Sequence, residues 1–137
     1  MNEPVWLRQD VALAVHRCLI AEHGGQEGVR DPGLLESALA RARNRFMYAE
    51  SAADLAELAA CNAYAIASNH PFVDGNIRTA LVLCRTFLRV NHWDIEASQQ
   101  EKYLTFMRLA RGDLSEEQLA GWIRAHLVTL APNGPSR

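Results

Sequence analysis

Residues 69–80, NHPFVDGNIRTA, divide the most apolar part of the chain into two helices and carry an unusual density of reactive side chains. Pro71 ends the helix before it, because proline disfavours the α conformation of the residue that precedes it. A new helix starts near Asn76. Upstream, Ser51 and Asp54 open a third helix in the manner of a capping box, with Leu55, Leu58, Ala59, Asn62, Ala65 and Ile66 on one face. Downstream, Ala80, Cys84, Phe87, Leu88 and Asn91 share one side of a fourth helix, and Leu81 and Leu83 widen its apolar surface. That breadth predicts the central buried helix.

Outward from this pair the periodicity stays helical. Val11, Ala14, Val15, Cys18 and Leu19 follow helical spacing and predict a first helix that ends before Gly24-Gly25, followed by a loop to Arg30. Asp31 then offers an acceptor to free amides, Pro32 suits the first helical position, and Leu35, Ala38, Leu39, Ala42 and Phe46 make the stripe of a second helix. Ser98 with Glu101 caps a fifth helix ending at Gly112. Ser115 with Gln118 caps a sixth that bears Leu119, Trp122, Ile123, His126, Leu127 and Leu130. No β-alternating run, repeat or low-complexity stretch interrupts the series. The expected fold is all-α: a bundle of about six helices forming one domain over residues 1–131, with 132–137 as a frayed tail.

Composition narrows the function classes. A chain of 137 residues, 49% apolar with a formal charge of −2, is globular and has no bulk preference for nucleic acid, so direct nucleic-acid binding is not expected. Arg41, Arg43 and Arg45 are spaced by two and do not line one helix face. Cys18, Cys61 and Cys84 are odd in number and lie in apolar patterns, which predicts reduced thiols in the core. Neither a leader pattern nor a membrane-length apolar run is present, so a cytoplasmic location without membrane attachment is expected. The histidines and cysteines lack zinc-site spacing, and no GxSxG elbow occurs.

The chemistry therefore concentrates between His70 and Arg78. Gly75 permits a turn that lets the amides of Gly75, Asn76, Ile77 and Arg78 converge at a helix start, where the dipole is positive. Arg78 adds a forked cation suited to phosphate oxygens. Asp74 would repel a phosphate directly, and its presence is best accounted for by a hard cation such as Mg²⁺ between the two; an N-cap is its plainer alternative. His70 is the residue of the segment able to take a proton from a hydroxyl near neutral pH. Its place at a helix C-terminus favours imidazolium, whereas a base must be neutral, so burial or a hydrogen bond has to offset the dipole. Taken singly, each residue also has a structural reading as a cap or turn.

HPFVDGNIR resembles the Fic/Doc signature HxFx(D/E)(G/A)N(G/K)R, and GGQEGVRDPGLLESALARA before it and RTALVLCRTFLRVNH after it are similar to the Doc branch. The resemblance spans residues 5 to 130. It implies a Fic-type helical fold, with ATP and Mg²⁺ as cofactors and transfer of a phosphate-containing group to a protein hydroxyl. Carried over by position, it makes His70 the general base, Phe72 the core anchor of the loop and Asp74 the Mg²⁺ ligand. Asn76, the loop amides and Arg78 become the nucleotide cradle. Gly24 to Asp31 takes the place of a flap that pins an extended segment of the target. For the Doc branch the implied activity is transfer of the γ-phosphate to a threonine of elongation factor Tu, under control of a Phd-type antitoxin.

Two positions depart from the family pattern. AMP-transferring members resemble HPFxxGNGRxxR, and the second arginine is here Leu81, which argues against nucleotidyl transfer. Doc-type members typically carry lysine between the asparagine and arginine; here that residue is Ile77, which keeps its amide but removes an ammonium from the phosphates. The change predicts weaker nucleotide binding or slower turnover, or a chain that acts mainly as an antitoxin-binding module. No sequence resembling the family's inhibitory (S/T)xxxE(G/N) element occurs, so control is expected from a separate protein.

Overall fold

Small side chains decide the architecture. In the computed structural model, which describes residues 2–49 and 51–130, the helix α3 (Leu55–Asn69) is buried on almost every side, with Ala56, Ala59, Ala60, Ala63, Ala65 and Ala67 letting its neighbours approach closely. Four helices pack on it: α2 (Pro32–Tyr48), α4 (Asn76–Val90), α5 (Gln99–Arg111) and α6 (Glu116–His126). The central place expected for the fourth helix therefore belongs to the third. Hydrophobic periodicity weighs large residues, whereas alanine allows a helix to be surrounded at short range.

The first helix, α1 (Gln9–His23), lies against α4, and its buried face is Ala12, His16 and Ile20. The stripe anticipated from sequence faces more outward: Val11, Val15 and Leu19 are half-buried, while Ala14 and Cys18 are exposed. Cys18 is thus not a core residue. Cys61 and Cys84 are, and burial pushes both thiols up to about 12.

Caps follow the short-range chemistry with two differences. Asp31, Asp54, Ser98 and Ser115 each accept from the amide three residues on, but Ser51 lies outside α3, where its carbonyl oxygen accepts from Arg45. Among the described residues a reciprocal box closes only at Ser115–Gln118. Glu101 instead turns its carboxylate to the Trp122 indole N–H at 3.2 Å, tying α5 to α6.

The sixth helix stops at His126, short of the expected Leu130. Leu127–Thr129 (β2) extends and pairs antiparallel with Trp93–Ile95 (β1), in the register Trp93↔Thr129, Asp94↔Val128, Ile95↔Leu127. These strands are too short for alternation to announce them. Residues 131–137, which include the tail expected to fray, lie outside the described residues. Among the described residues no helix is long and apolar enough to cross a membrane.

Candidate active site

The loop between α3 and α4 is built around Phe72, which is fully buried. Asn76 locks it: its side-chain oxygen accepts from the Phe72 amide and its side-chain nitrogen donates to the Phe72 carbonyl, both at 3.0 Å. With the Asn76 side chain occupied in this way, its open group toward the cleft is its main-chain N–H. Gly75, at φ +73°, forms the N-cap of α4 and offers no side-chain acceptor. The amides of Asn76, Ile77 and Arg78 therefore begin a helix without a side-chain cap, the arrangement that accepts an anion. Asp74 does not take the capping role; its Oδ1 accepts from the Gly75 amide at 2.9 Å and its Oδ2 from Gln26 at 3.2 Å.

His70 occupies the other end of the loop. It is the C-cap of α3 in a left-handed conformation (φ 51°, ψ 60°) and is exposed. Arg30 secures that geometry, donating from Nε to the His70 carbonyl and from Nη2 to the Asn69 carbonyl, each at 2.7 Å. A guanidinium thus meets the last carbonyls of α3, at the negative end of the helix.

The segment 24–31 is stitched to the loop. The amides of Arg30 and Asp31 donate to the Pro71 carbonyl at 2.8 and 3.0 Å, Val73 donates to Gly28 at 3.0 Å, and Val29 bridges Phe72 in antiparallel fashion. A cleft of about 480 Å³ opens beside it, lined by His70, Asp74, the α4 start through Arg78, and Tyr103 of α5. The Arg78 guanidinium lies over the Tyr103 ring, 5.3 Å from its centroid. Ile77 is half-buried and packs on the core while bordering the same cleft.

His16 is a site-building residue that sequence reasoning missed. It is buried, stacks on Phe72 with ring centroids 3.9 Å apart and planes 8° from parallel, and its Nε2 lies 2.8 Å from the Asp74 carbonyl oxygen. The signal available was a polar residue inside an apolar helix with no nearby partner in sequence. Asn62, an amide set in an apolar stripe, has no hydrogen-bond partner among the described residues, and neither does the Thr79 hydroxyl.

These features, an uncapped helix start, an exposed histidine across the loop and a flap stitched between them, coincide with the matches to known proteins. The Fic/DOC family model matches residues 6–88. The protein kinase Doc of Escherichia phage P1 is 36% identical over 112 residues, 82% of this chain and 87% of the relative. The chain belongs to the Fic/DOC family. The toxin Doc of Mycolicibacterium smegmatis is 41% identical over 68 residues, half of this chain and 52% of the relative, which with the phage protein places the chain in the Doc branch. The all-α Fic fold anticipated from the HPFVDGNIR motif is the fold found, with the small β1–β2 pair added to it.

The family implies a divalent metal, and the donor set here is compatible with Mg²⁺. Asp74 is an exposed carboxylate beside free helix amides, and Mg²⁺ commonly binds through one or two carboxylates while phosphate oxygens and waters complete its shell. No cluster of three or more metal-ligating side chains exists among the described residues, so an all-protein cage for another metal is absent there.

Proposed function

We propose that this chain is a cytoplasmic Doc-type toxin that transfers the γ-phosphate of ATP to a threonine hydroxyl of elongation factor Tu and thereby halts translation. The observation that carries this reading is the shared cleft of His70 and the uncapped α4 start, with Arg78 beside them. His70 takes the proton of the acceptor hydroxyl, the hydroxyl oxygen bonds to the γ-phosphorus, and the bond to the bridging oxygen breaks to release ADP. The amides of Asn76, Ile77 and Arg78 hold the negative oxygens. Asp74 would hold Mg²⁺, which spreads the charge of the phosphates when bound. The flap presents its backbone at the cleft to an extended piece of target, in the manner of strand addition. Leu81, apolar where a second arginine would serve a nucleotidyl transfer, favours phosphate over nucleotide transfer.

Control falls to a partner of the Phd antitoxin type. Label transfer to elongation factor Tu tests the proposal: γ-labelled ATP transfers, α-labelled ATP does not, and His70→Ala removes transfer and growth arrest together. Transfer of α-label would instead establish a nucleotidyl transferase. Nucleotide binding without transfer, with arrest surviving His70→Ala, would make the chain a binding module. Ile77→Lys is expected to raise the γ-label rate.

A further inference from the structure

A second cavity of about 400 Å³ adjoins the first and shares Arg78 and Tyr103 with it. Its far wall is basic. Arg85 and Lys102 line it from α4 and α5, and Leu81 gives it an apolar side. Arg78 and Arg85 lie on one face of α4, roughly 10 Å apart along the axis. Asp94 engages Arg85 through both carboxylate oxygens, at 3.1 and 3.0 Å, and also Arg89, so the charge of Arg85 is largely spent on β1. Lys102 differs. It is 8% exposed, yet among the described residues its ammonium has neither a hydrogen bond nor an ion pair. Burial and the neighbouring Arg85 lower its pKa from the ordinary lysine value, while Asp94 works in the opposite direction. On the opposite wall Glu22 is exposed and lies 2.9 Å from His23.

The stem of Lys102 is buried while its ammonium, on the cavity wall and bonded to no protein group among the described residues, is left to meet an anion that enters. His70 borders the first cavity and not the second, so a phosphate poised for transfer lies at one end and the leaving portion of the nucleotide extends toward the other. We infer that Lys102 binds a phosphate of the leaving nucleoside diphosphate, supplying from α5 the ammonium that Ile77 does not supply from the loop. This rests on the nucleotide-dependent reading above. Leu81 and the Tyr103 ring give the ribose and base apolar contact beyond the phosphates.

Calorimetry of the full chain with ATP and with adenosine tests the assignment. Lys102→Met is expected to weaken ATP about tenfold, the scale of one charge-assisted hydrogen bond, and to leave adenosine binding unchanged. Lys102→Gln should behave in the same way and serves if the methionine variant unfolds. Lys102→Arg should stay within about threefold of the parent, and Ile77→Lys added to Lys102→Met should recover most of the loss. Unaltered ATP affinity in both neutral variants, or an equal loss for adenosine, overturns the role of Lys102; if His70→Ala still abolishes transfer, the phosphotransfer reading survives. Absence of ATP binding by the parent chain overturns both.

Discussion

Arg30 Nε donates to the His70 carbonyl oxygen at 2.7 Å, so a flap side chain holds the histidine proposed as the base in its left-handed conformation. A non-glycine residue in that region is strained and persists only where its surroundings hold it. The flap therefore shapes the His70 end of the loop from behind.

Arg30→Met removes both hydrogen bonds while keeping the aliphatic stem. Phosphate transfer should fall by roughly tenfold or more, because small displacements of a reacting group carry large rate penalties. Affinity for ATP should stay within about twofold, since the helix amides proposed to hold phosphate lie on the other side of the loop. Initial rates and calorimetry on the same preparation separate these effects. An equal fall in rate and affinity would show that Arg30 supports the whole loop and not His70 in particular.

His16 joins α1 to the loop through a stack and a polar contact, and the two can be separated. His16→Ala empties the space beside Phe72 and leaves the Asp74 carbonyl without its partner, costing about 2–4 kcal/mol. His16→Phe retains a ring against Phe72 and loses only the polar contact, costing about 1–2 kcal/mol. Urea unfolding should order the parent, the phenylalanine and the alanine variants in that sequence of falling stability.

The site was legible to the extent that its determinants are local. Asp31, Asp54, Ser98 and Ser115 announce helix starts because a side chain meets an amide only three residues away. The His70–Arg78 segment is visible for a similar reason: its acid, base, glycine and arginine fall within one turn and one helix start. What could not be read depends on distant pairing. Arg30 reaches carbonyls forty positions away, and His16 meets Asp74 across 58 positions. In the first helix the stripe of valine, cysteine and leucine concealed the face that carries a polar residue into the core. The β1–β2 ladder joins three-residue strands that only the folded bundle brings together.

Gly25 touches the proposed metal ligand. Its φ is +115°, and a Cβ there would stand 2.7 Å from Asp74 Oδ2, forcing the carboxylate to shift. Gly24, at φ +86°, has open space around it, so Gly24→Ala carries backbone strain without the clash. In a Mg²⁺ titration of γ-label transfer, Gly25→Ala should raise the half-saturating Mg²⁺ concentration by roughly threefold or more, while Gly24→Ala leaves it near the parent value. Matching behaviour of the two variants would separate Asp74 from the metal requirement.

Asp94 gives the bundle an acid-sensitive joint. Burial works to raise its pKa, but hydrogen bonds from Arg85, the Ile95 amide, the charge of Arg85 and a hydrogen bond from Arg89 together bring it down from 3.8 to about 2. A carboxyl whose pKa is lower in the folded chain binds fewer protons there than in the unfolded chain. Its stabilisation is therefore complete above about pH 4 and is lost as the pH falls toward 2. With allowance for solvent screening the contribution is on the order of 1–2 kcal/mol. Unfolding free energies measured from pH 6 to 2 should fall less steeply below pH 4 in Asp94→Asn than in the parent, with the variant already weaker at pH 6. Parallel profiles for the two proteins would place the acid sensitivity elsewhere, foremost at Asp54, whose pKa the Arg124 hydrogen bond also lowers.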